Sequence, residues 1–166
     1  LVERMVPVGG TVLFLVPSIA LLQQTLNEWT ANADVPLRPF AVCSDASVGR
    51  RRASEDIAAS DLGFPASTDP AKLAARAAVS TGDEAVTVVF STYQSIDVVR
   101  QAQDLGLAEF DLVVCDEAHR TTGVTEQGQD GSAFTMVHDA AKIRAAKRLY
   151  ICLLYTSDAA DEGLGV

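Results

Sequence analysis

Two adjacent acidic residues, Asp116 and Glu117, are the side chains of this sequence best suited to chemistry. They directly follow the apolar run Leu112–Cys115, in which two residues are β-branched. A short apolar run of this kind is typical of a strand buried on both faces of a parallel sheet. Ligands of open α/β sheets bind beyond the carboxyl ends of such strands. The sequence therefore predicts a functional site at Asp116 and Glu117.

The two acids suit different tasks. Asp116, at the end of a rigid strand, is placed to hold a hydrated Mg2+ ion, which keeps several waters and takes one or two carboxylates together with substrate phosphates. Glu117, one step further into the turn, can polarise a water for attack on a phosphoryl group. A chance acidic turn after a core strand is the alternative, and the Ala118-His119 pair that follows argues against it.

Three segments carry a resemblance to a known family. The letters DEAH at residues 116–119 resemble the Walker B box of superfamily 2 helicases and translocases. Residues 13–25, LFLVPSIALLQQT, resemble motif Ia of that superfamily, and residues 88–96, VVFSTYQSI, resemble motif Ib. With CDEAHRTTG at residues 115–123, the set most resembles the helicase subunit of type III restriction enzymes and related large DEAD/DEAH-box proteins, over roughly residues 12–150.

The resemblance implies a fold and a set of roles. The fold is an α/β, parallel-sheet RecA-like lobe of the P-loop NTPase type, the first of two lobes in a motor. ATP and Mg2+ would be the cofactors, with Asp116 as the metal ligand and Glu117 as the residue that activates the hydrolytic water. His119 would couple the nucleotide site to motifs further along the parent chain.

The resemblance also implies DNA contacts at two turns, Pro17-Ser18 and Ser91-Thr92. The exposed amides at the start of a helix suit a phosphate group and read no base sequence. For Ser18 alone, an ordinary capped helix is equally consistent with the sequence.

Strands and helices are predicted to alternate with short links, which specifies a parallel sheet with right-handed crossovers. The predicted strands cover residues 11–16, 37–43, 85–90, 112–115 and 148–150, and the predicted helices cover residues 19–30, 71–79, 93–104 and 134–147. Ser18, Asp69 and the Ser91-Thr92 pair are predicted to cap helices. Core candidates recur at helical spacing: Leu21, Leu22, Leu26, Trp29, Ile96, Val99, Ala102, Phe134, Val137 and Ile143.

The composition is that of a globular domain with a net charge of −9. Such a charge does not favour free-standing nucleic-acid binding, and the basic cluster Arg50-Arg51-Arg52 is interpreted as a solvated surface loop within residues 44–69. The three cysteines, Cys43, Cys115 and Cys152, lack zinc spacing and indicate reduced thiols in a cytoplasmic protein. No stretch has the length of a membrane span or the pattern of a signal peptide.

Both ends of the sequence are expected to be incomplete. None of the three lysines follows a glycine, so no Walker A motif is present. We expect residues 1–150 to be a partial first helicase lobe that begins just after that motif and lacks its second lobe. Residues 151–166 are interpreted as a non-native tail, because residues 152–162 resemble translated sequencing-adapter sequence.

Three functions remain open from the sequence. The first is a fragment of an ATP-dependent DNA helicase or translocase, inactive alone, whose partners would include restriction-modification subunits; RNA as the substrate is not excluded. The second is a catalytically silent nucleic-acid-binding module that keeps the fold without the phosphate loop. The third is a metallohydrolase that uses Asp116, Glu117 and His119 directly on a metal. The sequence contains no Asp/Glu-x-Lys triplet of the nuclease type.

Overall fold

The computed structural model describes residues 5–43, 66–79, 85–118 and 135–151. Five strands lie within these ranges: β1 (Thr11–Val16), β2 (Leu37–Val42), β3 (Val86–Thr92), β4 (Leu112–Cys115) and β5 (Arg148–Tyr150). The same ranges hold three α-helices, α1 (Ile19–Asn32), α2 (Pro70–Ala78) and α3 (Ile96–Asp104). Short 3-10 turns cover Tyr93–Ser95 and Met136–His138.

The strands form one sheet in the order β2-β3-β1-β4-β5, and all four pairings are parallel. Leu15 of β1 is in register with Ser91 of β3 and with Cys115 of β4. The carboxyl ends of the three central strands therefore meet at one edge of the sheet. This arrangement confirms the predicted parallel α/β fold.

The central strands are apolar on both faces because both faces are covered. Side chains alternate along a strand, so Leu13 and Leu15 pack with α3 on one face, while Val12, Phe14 and Val16 pack with α1 on the other. Helix α3 contributes Ile96, Val99 and Ala102, and α1 contributes Leu22 and Leu26, as predicted. Each large aliphatic side chain buried in this way contributes about 1.5–3 kcal/mol to folding.

The predicted elements agree with the structure apart from their ends. Strands β1 and β4 have the predicted bounds, and β5 begins where predicted. Strand β2 stops one residue earlier, and β3 begins one residue later and continues two residues further. Ser18 caps α1 as predicted, since its Oγ accepts a hydrogen bond from the backbone N–H of Leu21 over 3.3 Å. Asp69 likewise accepts from the backbone of α2, which has Pro70 in its first turn.

The prediction of a helix over residues 134–147 is wrong. The chain there makes the 3-10 turn Met136–His138 and then further turns up to β5. Its backbone groups bond to other elements: the N–H of Arg144 donates to the side chain of Gln103 over 2.9 Å, and the N–H of Ala146 donates to the carbonyl of Phe110 over 2.8 Å. These long-range bonds replace the helical ones.

The core predictions for that segment are confirmed where the structure describes them. Val137 and Ile143 are fully buried, and Phe134 lies outside the described residues. The arginine cluster at residues 50–52, most of the excursion at 44–69 and Cys152 also lie outside them, as do residues 1–4. Cys43 and Cys115 are buried free thiols. Among the described helices, none is long and apolar enough to cross a membrane.

Candidate functional site

Asp116 and Glu117 lie at the carboxyl end of β4, where the sequence places them. Asp116 continues the sheet by one residue, since its N–H donates to the carbonyl of Leu15 in β1 over 2.9 Å. Its Oδ1 then accepts the N–H of Glu117 over 3.0 Å. Both acidic side chains are half-buried. The rigid end of β4 therefore presents two carboxylates at the edge where parallel sheets bind ligands.

The backbone of Glu117 is strained. Its φ angle is +52°, and no other non-glycine residue of the described chain has a positive φ. A residue with a Cβ in this left-handed region costs of the order of 1–3 kcal/mol and persists only when the surrounding structure holds it there. Such strain is common at functional sites. This conformation is not predictable from the residue type, because glutamate has no special preference for it.

Hydrogen bonds on both sides of Glu117 hold the turn. On the near side, the hydroxyl of Tyr93 donates to the carbonyl of Asp116 over 2.8 Å. On the far side, the N–H of Ala118 donates to the carbonyl of Ile151 over 2.9 Å. Tyr93 comes from the turn after β3, and sequence reasoning did not single it out because the contact spans 23 residues.

Two neighbouring groups stay protonated at neutral pH. Burial raises the pKa of the Tyr93 hydroxyl far above its usual value, and the neighbouring Cys115 adds to the effect. Burial also raises the pKa of the Cys115 thiol to about 12. Because the thiolate is the reactive form of cysteine, Cys115 acts as a small core residue and not as a nucleophile.

The environment of Asp116 suits a cation. Burial raises the pKa of its carboxyl group, the N–H of Glu117 opposes that shift, and the nearby Glu117 carboxylate adds to it. A bound cation would relieve both the burial cost and the repulsion. Among the described residues, the Glu117 N–H donates to Oδ1 of Asp116, and no group donates to Oδ2. One half-buried carboxylate with a free oxygen fits a Mg2+ ion that keeps most of its waters.

A metal held directly by several side chains has less support. The described part of the chain contains no group of three or more His, Cys, Asp and Glu side chains that could hold a metal ion. His119, the third member predicted for the metallohydrolase alternative, lies outside the described residues. Its predicted role in coupling also stays a prediction.

The first predicted DNA-contacting turn, Pro17-Ser18, lies at the carboxyl end of β1. Both residues are partly exposed, and Ser18 caps the 14-residue helix α1. The first turn of α1 contains no acidic residue that would repel a phosphate. Unpaired N–H groups at a helix start favour anions, so the local geometry suits the predicted contact.

The second predicted turn differs from its prediction. Ser91 and Thr92 are the last residues of β3 and are buried, with exposures of 0% and 4%. Thr92 precedes the 3-10 turn Tyr93–Ser95 but makes no capping bond with its side chain. Ser91 Oγ donates to the carbonyl of Thr92 over 3.0 Å, and Thr92 Oγ1 donates to Ser95 Oγ over 3.2 Å. Helix α3 begins only at Ile96, after a 3-10 turn. The prediction that these hydroxyls cap the helix is wrong because both make other hydrogen bonds, although the turn still lies beside Pro17-Ser18.

An apolar cavity of about 490 Å³ lies elsewhere on the sheet. Its lining includes Phe14 and Trp29, together with Val114 of β4 and Leu149 of β5, and excludes Asp116 and Glu117. The lining is mostly apolar, with Glu28 and Asn32 as its polar members, and carries no basic side chain to bind a triphosphate, so this cavity is distinct from the candidate site.

The parallel sheet, the acidic pair after β4 and the capped helix after the neighbouring strand β1 agree with a RecA-like lobe. The family model described as "Type III restriction enzyme, res subunit" matches residues 2–150. The chain therefore belongs to this family. No curated protein sequence matches the chain.

Solved structures of large restriction enzymes contain a similar domain. The ATP-dependent Type ISP restriction-modification enzyme LlaBIII, bound to DNA, matches with 40% sequence identity and a TM-score of 0.72 over 85% of this chain. A nuclease-deletion mutant of the Type ISP enzyme LlaGI, in complex with a DNA substrate mimic, matches with 40% identity and a TM-score of 0.65 over 85% of this chain. The chain spans 9% and 11% of the lengths of these two enzymes.

Proposed function

We propose that this chain is part of an ATP-dependent DNA helicase or translocase, in which ATP hydrolysis drives movement on DNA. The observation that carries the proposal is the turn at Asp116 and Glu117, where two half-buried carboxylates follow the buried strand β4. Their position is that of the acidic pair needed for metal-assisted phosphoryl transfer. The 40% identity to LlaBIII, described as ATP-dependent and bound to DNA, supports the same function.

The acidic residues have separate roles in this proposal. Asp116 would hold Mg2+ through the carboxylate oxygen that no described residue donates to, and the ion would supply charge neutralisation to the triphosphate. Glu117 accepts a proton from the attacking water, and its fixed backbone limits the directions in which its carboxylate can point. His119 links this site to later parts of the complete protein.

The DNA backbone would lie across the carboxyl ends of β1 and β3. Pro17-Ser18 offers the amides at the start of α1. Ser91-Thr92 offers backbone groups, since its two hydroxyls already donate to the Thr92 carbonyl and to Ser95. Val16 of β1 is in register with Thr92 of β3, so the two turns are neighbours. Contacts of this kind position a duplex without reading its sequence. DNA is favoured over RNA by the two DNA-bound relatives.

The 166-residue chain alone is proposed to be inactive as an ATPase. Its sequence contains no glycine-rich loop with a lysine to bind the triphosphate. That loop, a second helicase lobe and any restriction-modification subunits would come from the rest of the complete protein or from its partners. Residues 151–166 are proposed to be non-native, and the protein is proposed to act in the cytoplasm.

A catalytically silent DNA-binding module that keeps the fold without the phosphate loop is the second candidate. Such a module would bind DNA with the same affinity in the presence and absence of ATP and Mg2+. Fluorescence anisotropy with a labelled duplex measures this affinity on the chain as it is. If the motor proposal is right, the DNA affinity of the complete protein should change when ATP and Mg2+ are added.

The sequence of the gene on both sides of this reading frame tests the proposal. The motor proposal expects a G-x-G-K-[ST] motif before residue 1 and a Ser/Thr-Ala-Thr motif after Tyr150. If both ends of the chain are genuine, the motor proposal fails for this protein and the silent module becomes the better account.

A further inference from the structure

Tyr93 connects two strands that do not pair with each other. It directly follows β3 and is fully buried, with 0% exposure. Its hydroxyl donates to the carbonyl of Asp116, at the end of β4, over 2.8 Å. Strand β1 lies between β3 and β4 in the sheet, so this side chain reaches past the end of β1 to the acidic turn.

The bond holds one particular peptide group. The carbonyl of Asp116 and the N–H of Glu117 belong to the same planar unit. Tyr93 fixes the oxygen end of that unit, and Asp116 Oδ1 fixes the nitrogen end over 3.0 Å. With this peptide plane held at both ends, rotation about the N–Cα bond of Glu117 sets its φ angle, which is +52°.

The next peptide group is held as well, because the N–H of Ala118 donates to the backbone carbonyl of Ile151, a group that any residue at position 151 supplies. Glu117 is therefore fixed between two anchored peptide planes. Among these anchors, Tyr93 is a side chain from a different element, and its ring is packed in the core with Ile96 and Val99. A rigid aromatic anchor of this kind suits a residue whose function is to position others.

We propose that Tyr93 is a positioning residue for the acidic turn: its hydroxyl bond to the Asp116 carbonyl aims the carboxylates of Asp116 and Glu117. The inference rests on the proposed function, since it assigns Tyr93 to the same metal and hydrolysis site. Because Tyr93 directly follows Ser91-Thr92, the bond also connects the proposed DNA-contacting end of β3 to that site.

The test uses Tyr93→Phe, which removes the hydroxyl and leaves a ring of nearly the same volume. Tyr150→Phe is the matched control. It removes a hydroxyl at the same edge of the sheet, where the Tyr150 oxygen lies 3.0 Å from Nδ1 of His138, and it leaves the bond from Tyr93 to Asp116 intact. Asp116→Asn reports on the metal site itself.

Two readouts are taken on the 15N-labelled 166-residue chain by NMR, with Mn2+ alone as the probe. The first is the Mn2+ concentration that halves the amide signal of Glu117. The second is the native-state hydrogen exchange of the Ala118 amide relative to core amides such as those of Val88 and Val113. A purely structural role would speed exchange at all of these amides together.

The wild-type chain is expected to lose the Glu117 signal selectively, and Asp116→Asn is expected to prevent this loss. Tyr93→Phe is expected to raise the Mn2+ concentration that halves the Glu117 signal about 10-fold, as is typical when a residue that orients a metal ligand is removed. It is also expected to speed hydrogen exchange at the Ala118 amide but not at the core amides. Tyr150→Phe is expected to match the wild type.

Two results would overturn the inference while leaving the proposed metal site in place: an unchanged Mn2+ response in Tyr93→Phe, or faster exchange spread evenly over the core. If the wild-type chain shows no selective Mn2+ effect at Glu117, the proposed metal site fails, and the role of Tyr93 fails with it.

Discussion

The backbone N–H of Glu117 donates to the carboxylate of Asp116 over 3.0 Å, in a turn where Glu117 adopts a φ angle of +52°. The two acidic residues are thus linked directly, and the conformation of the second depends on the position of the first. A strained backbone held by hydrogen bonds on both sides is stable only because the surrounding sheet is rigid. Stability and function at this turn can therefore be separated by mutation.

Replacement of Glu117 by glycine should stabilise the chain relative to replacement by alanine. Both variants lack the carboxylate, but only glycine adopts a positive φ without strain. We expect Glu117→Gly to be more stable than Glu117→Ala by about 1 kcal/mol, which corresponds to a Tm difference of about 2–4 °C for a chain of this size. Thermal unfolding followed by circular dichroism measures the difference. Equal Tm values for the two variants would show that the turn carries no backbone strain.

Asp116→Asn should stabilise the metal-free chain at neutral pH. Burial raises the pKa of Asp116 in the folded state, so the folded chain binds more protons than the unfolded chain between the usual pKa and the raised one. Stability therefore falls as the pH rises through this window and stays lower above it. Asparagine can still accept the N–H of Glu117 and carries no charge to bury.

The pH profile of Tm distinguishes this effect from a general loss of negative charge. We expect the advantage of Asp116→Asn to be largest above the raised pKa and to disappear below the usual aspartate pKa of about 3.9. Glu109→Gln, which removes one negative charge from an exposed residue, serves as the control. If both variants show the same pH profile, the raised pKa of Asp116 is not the cause.

Substitutions at Ser18 separate its capping role from its proposed DNA contact. Asp and Asn cap helices about as well as Ser does, whereas Ala costs about 1 kcal/mol. We expect Ser18→Asp to fold as stably as Ser18→Asn. We also expect it to bind a DNA duplex about 10-fold more weakly, because a carboxylate at the start of α1 repels a phosphate and prevents its contact with the helix amides. Fluorescence anisotropy at fixed salt measures the affinity. Equal affinities for the two variants would place the DNA elsewhere.

Gln103 should contribute more to stability than the adjacent exposed residues of α3. It is 2% exposed, and its side chain bonds both the N–H and the carbonyl of Arg144 over 2.9 Å. Gln103→Ala removes the partner of the Arg144 N–H, while the Arg144 carbonyl keeps the N–H of Phe110, and should cost about 1–1.5 kcal/mol. Gln101→Ala, in the same helix, removes only an exposed bond to Asp97 and should cost about 0.2–0.5 kcal/mol. Urea unfolding of both variants measures the two values, and similar costs would contradict the assigned role of Gln103.

The sequence predicts the elements that are determined locally. The apolar run of β4 fixes the position of Asp116, and Ser18 with the leucines after it fixes α1, because capping and periodicity act over a few residues. The family resemblance adds the roles of these residues, which composition and spacing alone do not supply.

The features that the sequence does not predict depend on contacts between distant residues. The left-handed backbone of Glu117 is held by Tyr93, which follows β3, and by Ile151, which follows β5. The segment at residues 134–147 has an apolar pattern compatible with a helix, yet its bonds to Gln103, 41 residues away, take precedence over that local preference. Tertiary contacts of this kind override propensity.

The most direct test of the central claim is DNA-stimulated ATP hydrolysis by the complete protein and its Glu117→Gln variant. If Glu117 activates the hydrolytic water, this variant should lose kcat by about 10²-fold or more while KM for ATP changes little, and the exposed control Glu109→Gln should keep the wild-type rate. The isolated 166-residue chain should show no turnover. An unchanged kcat in Glu117→Gln, or turnover by the isolated chain that Glu117→Gln abolishes, would contradict the account.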